Sequence, residues 1–253
     1  MSAEKAAQSL TAPVEDYLKA IFEIEAADVP GHQESAAAGT NEIAQALGIA
    51  PASVTGMLRR LADQGLIVYE RYRGVRLSDE GRRAALRTIR RHRIIEAYLT
   101  KALGYPWDRV HEEAERLEHA ASDELIDRMA AAIGEPTTDP HGAPIPARDG
   151  TIDARPLLAL VDVAVGNVVR IRQVGDRDPE RLRYLAQLGV TPGADVRVVA
   201  REPFGGPITL QIVREGSESS RNVGRATRED RERAIGPTLA AQVFVETRRK
   251  REA

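Results

Sequence analysis

A chain of 253 residues, 42% of them hydrophobic, has material for two or three small domains with ordinary cores, and a formal charge of −2 says little until its distribution is examined. The complete lack of cysteine excludes disulfide frameworks, zinc fingers and iron–sulfur clusters, so any metal must be held by nitrogen and oxygen. No apolar run approaches the roughly 18 residues that cross a bilayer, and Met-Ser-Ala-Glu-Lys lacks the charged-then-apolar order of a secretion signal, so we expect a cytoplasmic chain with no membrane partner.

Taken in order, Thr11 and Pro13 open a first helix with Val14, Leu18, Ile21 and Phe22 at helical spacing. Ala26 to Gly39 is rich in Ala and Gly and is expected to be a loop, with His32 inside it. Thr40 is expected to cap a short helix over Asn41 to Leu47 closed by Gly48. Pro51 starts another, with Val54, Leu58 and Leu61 inward and Gly65 at its end. Leu66 to Leu77 follows as two β-rich runs around Arg73-Gly74, a hairpin with an arginine-lined tip. Helix, tight turn, helix and hairpin together read as a winged helix-turn-helix. In such a unit the second helix enters the DNA major groove, so Ser53, Thr55 and Gly56 are expected to face bases, Arg59 and Arg60 to face phosphates, and Arg71 and Arg73 to reach the flanking backbone or minor groove. Winged helices also serve as protein-binding modules; the arginine density favours nucleic acid.

Ser78 to Leu103 reads as one long helix with Ser78 as N-cap and Gly104 beyond it. Its core stripe holds Ala85, Ile89, Leu99 and Leu103, and the same stripe carries His92 and Glu96 one turn apart. That pair is either a satisfied buried hydrogen bond or half of a cation site. The run V-H-E-E-A-E-R-L-E-H-A-A from Val110 to Ala121 is expected to continue as helix, with Val110, Ala114, Leu117, Ala121 and Leu125 as the apolar stripe. At about 100° per residue, His111, Glu115, Glu118 and His119 share an arc of about 100° beside that stripe. Such a face is either solvated or gathered around a divalent cation. Charge supports a division of labour, because Arg59 to Arg93 is strongly basic and Glu112 to Asp127 strongly acidic.

Glu135 to Pro156 is rich in Pro, Gly and Asp and reads as a linker in which His141 is structural. Beyond it, β-like runs are expected at Asn167 to Val174, Ala194 to Arg201, Ile208 to Val213 and Val243 onward, with a short helix from Pro179 to Leu188. Glu215 to Glu232 is polar and charged, an exposed excursion.

A winged helix followed by H-R-I-I-E, then V-H-E-E-A-E-R-L-E-H-A-A-S-D-E, then D-P-H-G-A-P-I-P resembles the diphtheria toxin repressor family of metal-dependent transcriptional regulators, distinctly from Pro13 to Pro146 and more weakly beyond. The resemblance implies a mainly α fold with small β parts. Its domains would be a winged helix-turn-helix over 1–78, a helical metal-binding and dimerisation domain over 79–146, and an SH3-like (FeoA-like) barrel over 155–247. It implies a homodimer that binds a palindromic operator when loaded with metal and represses metal-homeostasis genes, without an organic cofactor. It places a primary site on Asp16, Glu115, Glu118 and His119, and an ancillary site on His92, Glu96 and His111 completed from the C-terminal domain. Asp176, Asp178 and Glu180 are candidates for that last ligand, and Asp178 is preferred, although a helix N-cap role explains it equally well. Lys19 stands where the manganese-sensing subgroup with a closely spaced two-metal site has a carboxylate, which favours two separated sites. Glu115 stands where iron-sensing members have a cysteine, which favours Mn2+ as co-repressor over the alternative Fe2+.

Two rivals remain at this level. One is a winged-helix regulator of an organic ligand. The other is a carboxylate and histidine metalloenzyme, but the zinc-protease H-E-x-x-H pattern would need a second histidine where Glu115 stands, and Glu-x-x-His pairs of di-iron bundles are absent. The expectation is therefore a regulator and not an enzyme.

Overall fold

The computed structural model describes residues 10–26, 37–70, 74–153, 155–175, 178–213 and 232–247. Arg71, Arg73, His32, Asp176 and most of the 215–232 excursion lie outside the described residues. The fold is a helical N-terminal and central region followed by a small antiparallel sheet, and it divides into two compact units that interleave along the chain. One unit comprises 1–92, 116–125 and 146–152; the other comprises 93–115, 126–145 and 153–253.

In the first unit, α1 (Ala12–Ala26) buries Val14, Leu18, Ile21 and Phe22, and the Thr11 carbonyl accepts from the Val14 and Glu15 amides to start it. α2 (Thr40–Leu47) and α3 (Pro51–Asp63) form the helix-turn-helix. The N-cap of α2 is Gly39 rather than Thr40; it has no side chain to accept from the first helical amides, and its own amide donates to the Glu42 carboxylate at 2.8 Å, the carboxylate half of a capping box. α3 turns Val54, Leu58 and Leu61 into the core. The wing pairs β1 (Ile67–Glu70) with β2 (Gly74–Leu77) in register Ile67 to Leu77, and the Ala38 amide and carbonyl bridge to Val75. α4 (Asp79–Leu103) begins as expected: Ser78 Oγ accepts from the Gly81 amide at 3.0 Å and donates to the Gly65 carbonyl at 2.7 Å. Leu103, expected in the core stripe, is 58% exposed.

The long helix expected from Val110 through Ala121 is shorter. α5 (Val110–Leu117) ends where the Ala120 and Ala121 amides both close on the Leu117 carbonyl, and Ser122 caps the next helix, α6 (Asp123–Ala132), through the Leu125 amide at 3.2 Å. Glu118 and His119 therefore sit in a turn, not on the helix. The stripe breaks with it: Leu117 and Leu125 are 42% and 45% exposed, while Ile126 and Ala130 are buried.

In the second unit, six strands run antiparallel in the order β3-β8-β4-β5-β6-β7, an SH3-like sheet. They are β3 (Leu158–Ala159), β4 (Val168–Val174), β5 (Asp195–Arg201), β6 (Ile208–Val213), β7 (Glu232–Ile235) and β8 (Val243–Thr247). α7 (Pro179–Leu188) matches expectation at both ends, whereas β3, β7 and the one-turn α8 (Pro237–Ala240) were not foreseen. The inward residues of the sheet, with Leu182 and Leu185 of α7, form one core against which Trp107 packs. The stretch expected as a linker is partly built into this unit. Thr138 bridges Pro144, and Gly142 takes φ +91 so close to β4 that a Cβ would lie 1.8 Å from the Arg172 carbonyl oxygen.

Candidate metal centre

In the first unit three side chains from two segments meet. Asp16, on the second turn of α1, is paired with His119, whose Nε2 lies 2.8 Å from Asp16 Oδ1 and 3.5 Å from Glu118 Oε1. The donor atoms of Asp16, Glu118 and His119 all fall within 4.8 Å of one another. Asp16 is off the apolar stripe of α1, as expected from spacing, and it is the turn after α5 that brings the other two to it. The second ring nitrogen of His119, Nδ1, lies 2.6 Å from Glu15 Oε2. Burial pulls the His119 pKa down, but the hydrogen bond to Glu15 and the charges of Asp16, Glu118 and Glu15 outweigh it and hold the imidazole above its ordinary value.

Glu118 is fully buried and its charge is met from inside the protein. Lys19, only 8% exposed, places Nζ at 3.1 and 3.0 Å from its two oxygens. The same ammonium lies 3.1 Å from His92 Nδ1, and that nitrogen makes a short contact with Glu118 Oε2. The buried group is thus a carboxylate, an ammonium and an imidazole, a set that satisfies the charge rule for interiors. His92 is therefore part of this buried group.

The second unit holds the remaining candidates. His111 Nδ1 lies 3.3 Å from Glu96 Oε1, and its Nε2 lies 3.7 Å from Glu115 Oε1. Glu115 belongs to this unit, while Asp16, Glu118 and His119 belong to the other. Glu96, Asp139 and His141 form another buried group with donor atoms within 4.8 Å of one another. Two features build it. Asp139 Oδ1 accepts from the His141 and Ala143 amides at 2.8 and 3.0 Å, and His141 Nε2 donates to the Trp107 carbonyl at 2.8 Å while its ring stacks on Trp107. His141 is fully buried, which agrees with a structural role, and Asp139 was not foreseen.

Asp178 is the N-cap of α7. Its Oδ1 accepts from the Glu180 and Arg181 amides and its Oδ2 pairs with Arg181 at 2.9 Å, so the cap accounts for both oxygens. Ser53, Thr55, Gly56, Arg59 and Arg60 are all exposed, on the face of α3 opposite Val54, Leu58 and Leu61. Sequence reasoning missed Glu15, whose only local signal is its place in the first turn of a helix, and did not foresee that Lys19 would be buried.

The donors suit a divalent ion. Two carboxylates and an imidazole with no thiolate make a hard oxygen and nitrogen set, and Nε2 of His119 faces both carboxylates.

Comparison with known proteins agrees with this class of molecule, a winged-helix DNA-binding protein with a metal-responsive helical domain. Residues 9–75 match the iron-dependent repressor N-terminal DNA-binding domain, 78–147 the iron-dependent repressor metal-binding and dimerisation domain, and 158–247 the FeoA domain. The chain belongs to the diphtheria toxin repressor family of metal-dependent transcriptional repressors. It is 30% identical over 211 residues to the iron-dependent repressor IdeR of Mycobacterium bovis, covering 78% of this chain and 87% of that one. It is 36% identical over 96 residues to the regulator MntR of Lysinibacillus sphaericus, covering 38% and 68%. Among solved structures, a manganese-dependent transcriptional repressor in complex with manganese superposes with a TM-score of 0.79 at 35% identity, covering 93% of this chain and all of that one. These relatives are repressors, not enzymes. No helix among the described residues is long and apolar enough to cross a membrane.

Proposed function

We propose that this chain is a cytoplasmic manganese-responsive repressor, with Fe2+ as the alternative co-repressor, that binds a palindromic operator as a homodimer and controls metal-homeostasis genes. The observation that carries the reading is the 2.8 Å approach of His119 to Asp16. Asp16 lies in the stretch matched by the DNA-binding domain, and Glu118 and His119 lie in the stretch matched by the metal-binding and dimerisation domain. A cation held by all three ties α1, and through it the helix-turn-helix, to the turn after α5. The division into 1–78, 79–146 and 155–247 is proposed on the same ground.

Asp16, Glu118 and His119 would hold the primary ion, with Glu115 as the fourth ligand that the family resemblance supplies; Glu96, His111 and His92 would serve an ancillary site. A divalent cation supplies positive charge at a point where carboxylates otherwise repel. The residues do the rest: Lys19 compensates Glu118, Glu118 and His119 stand on one turn, and Asp16 reports their state to α1. The exposed face of α3 then presents Ser53, Thr55 and Gly56 to base edges and Arg59 and Arg60 to phosphates. Two such helices in a dimer must sit about one DNA turn, roughly 34 Å, apart. By linkage, the factor by which metal tightens DNA binding is the factor by which DNA tightens metal binding, about 5- to 150-fold in typical cases. Hard donors favour manganese over softer ions, and the manganese-bound structural neighbour supports that choice.

The test is an electrophoretic shift of a candidate palindrome at controlled free Mn2+ and Fe2+. Asp16→Asn and the isosteric Glu118→Gln, which keeps an acceptor oxygen for Lys19, abolish metal-stimulated binding while sedimentation still finds a folded dimer. Stimulation retained in both variants overturns the assignment.

A further inference from the structure

Glu15 precedes Asp16 on α1 but serves a different atom. Its Oε2 lies 2.6 Å from His119 Nδ1, while His119 Nε2 faces Asp16 and Glu118 at 2.8 and 3.5 Å. An ionised carboxylate only accepts hydrogen bonds, so in the metal-free ring Glu15 holds a proton on Nδ1 and Asp16 competes for one on Nε2; a cation held with Asp16 at Nε2 would remove the second proton and leave Nδ1–H on Glu15. Glu15 is itself held in place. Arg91 Nη1 lies 3.3 Å from Glu15 Oε1, and the same guanidinium grips Asp123 Oδ1 through Nε at 2.9 Å and Nη2 at 2.8 Å. The Glu15, Arg91 and His119 side chains are 13%, 19% and 20% exposed, so these three are mostly withdrawn from water, while Asp123 at the outer end is 67% exposed. It runs from α6 through α4 and α1 to the 118–120 turn, and all its members belong to one compact unit.

We infer that Glu15 is a positioning residue that selects and aims the metal-binding nitrogen of His119. The inference rests on the reading that Asp16, Glu118 and His119 take a divalent cation. α1 then contributes to the site twice, directly through Asp16 and indirectly through the imidazole. Carboxylate partners of this kind set the tautomer and basicity of ligand histidines, and their loss usually lowers metal affinity 10- to 100-fold. A cation held at Nε2 would draw charge from the ring and make Nδ1–H a stronger donor to Glu15, so α1 would respond to the site through Glu15 as well as through Asp16. α1 packs against α2, which places that response beside the helix-turn-helix.

The experiment uses the full chain, Glu15→Gln, and Mn2+ as the probe. Calorimetric titration should show Mn2+ affinity reduced about 10- to 100-fold with the number of sites unchanged. Nitrogen NMR of the metal-free chain carrying Asp16→Ala, which removes the competing carboxylate, at a pH where the ring is neutral, should show His119 as the Nδ1–H tautomer when Glu15 is present and as a mixture when Glu15→Gln is added. Unchanged affinity together with an unchanged tautomer overturns the proposal. If Glu15→Gln loses its fold by circular dichroism, Arg91→Gln leaves the carboxylate but removes its holder and is read by the same two outcomes. If the parent takes up no Mn2+, the reading of the site as a metal centre fails; the metal-free spectrum still decides whether Glu15 sets the tautomer.

Discussion

Lys19 is a buried cation at the point where Glu118 and His92 converge, and it shows how the site stays stable without metal. Removing one partner of a buried ion pair typically costs several kcal/mol because the other charge is stranded. His119 is a group whose proton binding differs between the folded and unfolded chain. Its folded pKa is raised, so its contribution to metal-free stability is full below the unfolded value of about 6.5 and is lost as pH rises through the higher folded value. The stability difference between the parent and His119→Asn in denaturant titrations should therefore shrink as pH rises above the unfolded value of about 6.5 and through the higher folded value. Mn2+ affinity should move the opposite way over the same window, because ligation needs the unprotonated Nε2. A difference independent of pH would remove His119 from the titrating set. His92 and Glu96 were legible in the sequence because they interrupt an apolar stripe, and His111, Glu115, Glu118 and His119 because they share one arc beside another, whereas Asp16 came from the family resemblance alone; Glu15 was not legible, since its partner is 104 positions away.

At the scale of elements, punctuation near each end decided how well the sequence could be read. α7 starts at Pro179 after the Asp178 cap and stops at Gly189 in the left-handed conformation, and its bounds were legible for that reason. The break after Leu117 was not, because Ser122 acts as a cap inside a run whose spacing continued the helix. Gly81 in the first turn of α4 shows a tertiary contact overriding propensity. Alanine there would gain about 1 kcal/mol of helix propensity, yet its Cβ would lie 1.9 Å from the Leu66 carbonyl oxygen. Overpacking of this kind costs about 1 to 3 kcal/mol. Gly81→Ala is expected to lower the thermal midpoint of the metal-free protein, and calorimetry showing an increase would mean that α4 slides away from the wing at little cost.

For the whole molecule, the exposed leucines matter most. Leu103, Leu117 and Leu125 are 58%, 42% and 45% exposed, and all three fall within the stretch matched by the metal-binding and dimerisation domain. Large apolar side chains left uncovered in a chain of a dimerising family are the expected core of the contact with a second copy. Leu117→Glu combined with Leu125→Glu should shift the sedimentation coefficient from dimer to monomer and weaken operator binding, with helicity unchanged. A dimer of parent stability would place the contact elsewhere.

Composition, helix punctuation and hydrophobic period determined the cysteine-free donor chemistry, the winged helix-turn-helix, the exposed face of α3 and most strands of the C-terminal sheet, because each is encoded within a few neighbouring residues. Only the tertiary structure decided that Glu118 and His119 stand on a turn, that Lys19 and His92 join Glu118, that Glu15 aims His119, and that Asp139 and His141 are buried beside Glu96. Those arrangements depend on atoms as many as 104 positions apart meeting within hydrogen-bonding distance, and no local pattern carries that information.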